Sequence, residues 1–181
     1  MQLDSVVEVT TSEAASIRLV YRYVTTEYFD LEVNRDGRDW KVILKRKSFE
    51  APVKRESESR FFEEFIDEPR AFAAALNGKQ AGWLELGFHK WNNRMRVWEI
   101  LVEEGFRRRG IGTLLMDHAV KLSREKGARM LVLETQSCNA PAIDFYTKYG
   151  FMLIGFDSAA YSNNDVEKKE IRLEMGLKLD S

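Results

Sequence analysis

Val97-Trp98-Glu99-Ile100-Leu101-Val102 is an apolar, strand-like run, and after four intervening residues Arg107-Arg108-Arg109-Gly110-Ile111-Gly112 opens an amphipathic helical pattern. Strand, glycine turn and helix in that order are what a phosphate cradle requires. Two glycines let the backbone turn tightly and approach an anion, and a helix start aims unpaired N–H groups and a partial positive charge at it. The arginines add charge-assisted hydrogen bonds.

Upstream of this stretch the pattern is one of hairpins. Arg70 to Leu76 and Gln80 to Phe88 flank Asn77-Gly78, and Arg94 to Val102 follows the turn-like Trp91-Asn92-Asn93, which predicts an antiparallel meander. Nearer the N-terminus, Val6 to Val9 reads as a strand. Thr11 or Ser12 then caps a helix carrying Ala14, Ala15, Ile17, Leu19 and Val20. Tyr28 to Val33 and Trp40 to Leu44 form a hairpin around Asp36-Gly37, and the polar Lys45 to Ser59, interrupted by Pro52, reads as a surface connection on the substrate side. Downstream, Leu114, Leu115, His118, Ala119 and Leu122 recur at helical spacing up to Lys126-Gly127. Met130 to Glu134 is a buried strand, Pro141 begins a helix with Ala142, Phe145, Tyr146 and Tyr149 as its inner stripe, and Phe151 to Phe156 and Lys169 to Leu177 are closing strands. The sum is a mixed α/β sheet.

Three phosphate cradles compete for Gly110 and Gly112. A P-loop places Lys and Ser/Thr directly after its last glycine, and Thr113, Leu114 and Leu115 stand there instead. A dinucleotide fingerprint needs glycine at Leu115 and a βαβ start, where antiparallel hairpins are expected; Glu134, about where a ribose-binding acid would lie, keeps this as the minor alternative. The third pattern is Arg107-x-x-Gly110-x-Gly112, followed downstream by Asn139-x-x-Ala142-x-x-Phe145-Tyr146-x-x-x-Gly150-Phe151. With both motifs in order, the chain resembles the GCN5-related N-acetyltransferases, most clearly from Ala71 to Asp157. Leu133-Glu134-Thr135-Gln136 with Asn139, and Trp91-Asn92, resemble the streptothricin acetyltransferase-like subgroup.

The resemblance implies an α/β fold of one domain, 1–181, with a mixed, mostly antiparallel central sheet, a splayed coenzyme A cleft and flanking helices. Residues 1–70 would form the substrate side and 71–157 the acetyl-CoA-binding core. It implies acetyl-CoA as cosubstrate and no metal. The main chain of Ile100, Leu101 and Val102 would bind the pantetheine arm, and the amides of Arg107, Arg108, Arg109, Gly110, Ile111, Gly112 and Thr113 the pyrophosphate. Tyr146 would stand beside the coenzyme sulfur as general acid, and Asn139, a natural helix cap, would also contact the coenzyme.

Acetyl transfer to an amine needs a proton acceptor, because an alkyl amine with a pKa of about 10 is mostly protonated at neutral pH. Glu99 is the first candidate, the only acid in the apolar run of the central strand; strand alternation alone leaves its face open. Glu134 is the second. Cys138 beside Asn139 reads as a small packed residue rather than a nucleophile, with no histidine near in sequence to activate it. His118 reads as a packed histidine, and His89 and His118 have no metal-ligand spacing.

The 181 residues carry 28 basic and 29 acidic side chains, which leaves no global field for nucleic acid or an anionic membrane. A single cysteine fits a reducing compartment, and Met1-Gln2-Leu3-Asp4 lacks a basic start and an apolar core of a leader, so the cytosol is expected. The expected partner is a small amine, whose cleft Glu50, Glu56, Glu58, Asp157 and Asp165 could line from loops, although solvated surface charge explains each as well. A protein or peptide acceptor, or a coenzyme A-binding module without catalysis, are the alternatives. The aromatic content leaves room for a homodimer.

Overall fold

In the computed structural model, which describes residues 3–179, Thr10 ends the first strand, β1 (Leu3–Val9), and starts a helix of a single turn, α1 (Thr11–Ala14). The cap is reciprocal: Glu13 N–H donates to the Thr10 hydroxyl, and Thr10 N–H donates to the Glu13 carboxylate at 2.8 Å. The longer helix expected through Leu19 and Val20 does not form. Leu19 is instead fully buried in β2 (Leu19–Asp36), in a cluster with Val9, Phe61, Ala71, Ala73 and Leu101, because a short helix cannot offset its nucleation cost against that burial. The reading of Met1 and Gln2 lies outside the described residues.

Gly37, at φ 60°, turns β2 into β3 (Asp39–Ser59), and the two form a two-stranded sheet. The expected surface connection over Lys45 to Ser59 is therefore a strand. Most of its side chains are exposed, so its sequence carries none of the hydrophobic alternation that marks a half-buried strand. Ion pairs from Lys45 to Glu32 at 2.9 Å and from Lys47 to Asp30 at 2.6 Å join β3 to β2.

The meander forms as expected. Asn77 and Gly78 both take positive φ, 52° and 73°, in the turn between β4 (Arg70–Leu76) and β5 (Lys79–His89). A 3-10 turn at Lys90–Asn92 leads to β6 (Arg94–Val102). Then follow α2 (Ile111–Glu125), β7 (Met130–Gln136), α3 (Ala140–Tyr149), β8 (Met152–Asp157), a single turn α4 (Asp165–Lys168) and β9 (Arg172–Lys178). The architecture is α/β, with a mixed, mostly antiparallel sheet and flanking helices.

Two compact units divide the chain. The first holds residues up to Arg22, 56–133 and those from Gly176 on; the second holds 23–55 and 134–175. In the first, the strand order is β1-β4-β5-β6-β7. Its pairs are antiparallel except β6 with β7, which α2 connects as a parallel crossover. The hairpins expected before the glycines are there, and β6, α2 and β7 form a βαβ unit at the glycines themselves. Its close helix–strand approach comes from Gly82 of β5, where a Cβ would lie 2.8 Å from the Leu101 carbonyl and 3.0 Å from the Ile111 and Leu115 side chains. Leu115, the missing third glycine, is itself a fully buried core residue. α2 buries Ile111, Leu115, Met116, Ala119 and Ser123, while Leu114, His118 and Leu122 of the expected stripe are half-buried.

In the second unit the strand order continues from the end of β7 through β9 to β8. Pro141 sits in the first turn of α3 and Gly150, at φ 115°, closes the helix. Of the expected stripe only Tyr146 is buried, together with Ala140 and Ile143; Ala142, Phe145 and Tyr149 are half-buried.

Candidate active site

The first unit builds the cradle from backbone. Beyond β6, Glu103 N–H donates to the Ala81 carbonyl at 3.0 Å and the Trp83 indole donates to the Glu103 carboxylate at 3.1 Å, which fixes where the chain leaves the sheet. A 3-10 turn over Glu104–Phe106 follows, then Arg108 at φ 62° and Gly110 at φ 85°. A left-handed residue followed by a right-handed helix start is the backbone alternation from which anion nests are built. The first bond of the α2 ladder runs from Leu114 N–H to Gly110 O at 2.9 Å, so the N–H groups of Ile111, Gly112 and Thr113 lie ahead of it. Beside the Gly110 Cα there is open space to 4 Å. The space beside Gly110 and the N–H groups ahead of the α2 ladder suit an anion.

The arginines play unequal parts there. Arg107 turns its guanidinium back onto backbone, donating to the Arg22 carbonyl at 2.6 Å and to the Val102 carbonyl at 3.4 Å. Arg109 lies over the Phe106 ring at 5.9 Å.

Ile100, Leu101 and Val102 pair on one side with Leu84, Trp83 and Gly82 of β5. Among the described residues, the parallel ladder to β7 runs from Arg94↔Met130 to Val97↔Leu133 and includes none of the three. Glu99, half-buried, shares its face of the sheet with Leu101. That face carries the Phe61, Trp83 and Tyr21 cluster and lies opposite α2. The Glu99 carboxylate accepts hydrogen bonds from the hydroxyls of Tyr21 and Ser59. This settles the face that alternation left open.

Directly across from Glu99 stands Glu85, its register partner on β5, which the sequence reading passed over. Glu85 is fully buried, and its Oε1 accepts from the Phe62 N–H at 2.6 Å, while its Oε2 is buried without a hydrogen-bond partner among the described residues. Burial pushes its carboxyl up to about 7, the charges of Glu99 and Glu63 add to that, and the Phe62 N–H opposes it. A lone acid in the apolar run Trp83-Leu84-Glu85-Leu86 is the same signal that singled out Glu99. Tyr21 and Ser59 carried none, since they stand 78 and 40 residues from Glu99 in sequence.

In the second unit Asn139 caps α3, its side-chain oxygen accepting from Ala142 N–H at 3.3 Å. Tyr146 is buried, its ring 5.5 Å from that of Phe145 and 5.9 Å from that of Phe151. Cys138 is fully buried, 3.4 Å from the Tyr23 hydroxyl, whose pKa burial pushes up; it is a packed residue. Glu134 accepts from the Tyr161 hydroxyl at 2.9 Å.

The remaining candidates are accounted for locally. His118 packs edge-on against Phe72 with ring centroids 4.7 Å apart, and burial lowers its pKa, as suits a packed imidazole. His89 stands 6.0 Å from the Trp98 ring. Glu50, Glu56 and Glu58 lie on β3 rather than in a loop, Glu56 paired with Arg22 at 2.9 Å and Glu58 with Arg18 at 3.5 Å. Asp157 accepts from Ala159 N–H. Asp165 opens α4 rather than lying in a loop, and it is buried, accepting from Tyr161 N–H at 2.8 Å and from the Ser162 hydroxyl at 2.7 Å, not a solvated charge. No helix among the described residues is long and apolar enough to cross a membrane.

Residues 39–151 match the model of the acetyltransferase (GNAT) family. The chain is 32% identical over 153 residues, 80% of its own length and 79% of the relative's, to the streptothricin acetyltransferase of Streptomyces lavendulae. The crystal structure of a nourseothricin acetyltransferase superposes with a TM-score of 0.76 at 29% identity, covering 97% of this chain and 98% of that one. A Bacillus anthracis protein solved in complex with acetyl coenzyme A superposes over 99% of each chain with a TM-score of 0.74 at 22% identity, a likeness of fold.

Proposed function

The chain belongs to the acetyltransferase (GNAT) family, as an N-acetyltransferase, and we propose that it moves the acetyl group of acetyl-coenzyme A onto a primary amine of a small molecule, by direct attack of the amine in a ternary complex. One observation carries this reading: within a single unit, a carboxylate seated between two hydroxyls, Glu99, lies on the strand that leads straight into a backbone anion cradle. Base and phosphate site are thereby held by the same strand.

The cosubstrate supplies an activated thioester. The main chain of Ile100, Leu101 and Val102 would hold its pantetheine arm as an added strand does, and one N–H there would polarise the acetyl carbonyl. Ile111, Gly112 and Thr113 offer N–H groups to the pyrophosphate, with the backbone from Arg107 to Gly110 folded around it. Glu99 accepts the proton that the attacking ammonium must lose, directly or through water. Tyr146 donates a proton to the leaving thiolate, and Asn139 contacts the coenzyme from the start of α3. The Streptomyces lavendulae relative supports a streptothricin-like amine as acceptor. The single, buried thiol Cys138 suits a reducing compartment, and we place the activity in the cytosol.

The test is release of free coenzyme A, read with a thiol reagent, from acetyl-coenzyme A mixed with streptothricin, a polyamine, an aminoglycoside or an N-terminal peptide. Release above background hydrolysis is expected with streptothricin. Release with the peptide alone would move the acceptor to proteins, and none with any amine would overturn the catalytic reading.

A further inference from the structure

Two carboxyl groups standing directly opposite on neighbouring antiparallel strands have Cβ atoms about 5 Å apart on one face of the sheet. At that separation, away from water, both do not ionise readily: one takes the proton and the other keeps the charge. The surroundings of Glu85 and Glu99 say which is which. Glu99 is half-buried and accepts from two hydroxyls, Tyr21 and Ser59, contacts that favour an anion. Glu85 is fully buried, with one oxygen on the Phe62 N–H and the other without a hydrogen-bond partner among the described residues. An oxygen in that position costs least as part of a neutral carboxyl. Across β4 its register partner is Ala71, and the charges acting on it are those of Glu99 and Glu63, both acidic. Among the described residues no cation joins them to hold Glu85 as an anion. Phe62, at φ 61°, presents that N–H from a left-handed backbone.

We propose that Glu85 is a positioning residue for Glu99: the pair shares one proton, Glu85 carries it, and Glu99 is thereby kept as the anion that receives the proton of the attacking amine. The role in amine attack rests on the acetyl-transfer reading; the sharing of the proton does not. In the step itself, the ammonium N–H bond breaks, its proton passes to a Glu99 oxygen, and the nitrogen lone pair is freed for attack. Glu85 keeps its own proton throughout.

Enzyme labelled with 13C at the glutamate side-chain carboxyl tests the pair by NMR titration. One resonance is expected to titrate near neutral pH in the wild type and to vanish in Glu85→Gln. In Glu99→Gln its midpoint should move to lower pH, a loss of proton affinity of several-fold or more, because the like charge is gone. Absence of a near-neutral carboxyl, or a midpoint unmoved in Glu99→Gln, overturns the proposal. Glu99 is half-exposed, so its variant keeps the test usable should Glu85→Gln fail to fold. In turnover of streptothricin, Glu85→Gln should remove an inflection near pH 7 from the kcat/KM profile. A purely structural role would instead scale the whole profile, and that result also counts against the proposal. The titration needs no turnover. A protein that shows the coupled carboxyls but acetylates no amine would refute the acetyl-transfer reading alone, and active enzyme without coupling would refute this inference alone.

Discussion

The guanidinium of Arg107 donates to the backbone carbonyl of Arg22 at 2.6 Å, so the first arginine of the cradle ties it to the start of β2 instead of reaching out as a free charge. Its second contact, with the Val102 carbonyl at 3.4 Å, ties the same turn to the end of β6. Two carbonyls held by one planar fork is a task that lysine performs poorly. Arg107→Ala is expected to raise KM for acetyl-coenzyme A by about tenfold, the loss of roughly 1.4 kcal/mol from one charge-assisted contact, with a smaller change in kcat. Arg107→Lys should recover little of it. Full recovery with lysine would show that a point charge on the phosphate is what matters, and steady-state kinetics at saturating amine decides between them.

Tyr146 is packed among aromatic rings, so removal of its hydroxyl leaves the packing in place. Tyr146→Phe should therefore fold as the wild type does and lose turnover by about 10²-fold or more, the usual scale of a lost general acid. A turnover number unchanged across pH would remove the general-acid role from this residue.

Gly82 has no room for a side chain: a Cβ there would meet the Leu101 carbonyl at 2.8 Å, a backbone atom that cannot rotate away. Gly82→Ala should destabilise the protein by about 1–3 kcal/mol, as overpacking does. At this chain length that corresponds to a Tm lower by roughly 2–4 °C for each kcal/mol. Gly105→Ala, where a Cβ meets open space, is the control. Equal Tm values for the two variants would mean that α2 shifts freely over β5.

Glu85 also makes stability depend on pH. Its folded carboxyl is raised to about 7 from an ordinary 4.5, so the folded protein binds more protons than the unfolded chain between those values, and stability falls as pH rises through that window. The penalty is fully present above pH 7 and absent below about 4.5. Glu85→Gln, which cannot ionise, should gain on the wild type from pH 5 to pH 8 by up to about 3 kcal/mol, on the order of the shift multiplied by 1.36. Urea melts at the two pH values measure it, and a constant difference between the proteins would show that Glu85 titrates normally.

Much of the first unit was legible because its signals are local. Asn77-Gly78 specified a turn that needs two positive φ angles, Lys126-Gly127 stopped α2, and Gly110 supplied the left-handed residue from which the cradle is built. The failures have equally particular causes. Leu19 and Val20 continued a helical spacing, but burial of Leu19 in the Phe61 cluster made them strand. Lys45 to Ser59 looked like loop because a largely exposed ribbon needs no apolar face, and its pairing partner, β2, was invisible to any local window.

The candidate site divides along the same line. From sequence alone came the glycine turn at a helix start, the Asn139 cap and the choice of Glu99, since these depend on the conformation or character of residues within a few positions of one another. Only the tertiary structure decided that Glu99 lies between Tyr21 and Ser59, that Arg107 is committed to Arg22, and that Glu85 faces Glu99 from a buried site. The physical reason is that a carboxyl's charge state follows from desolvation and from neighbours brought across strands. Register and burial set both, and they are properties of the folded chain as a whole.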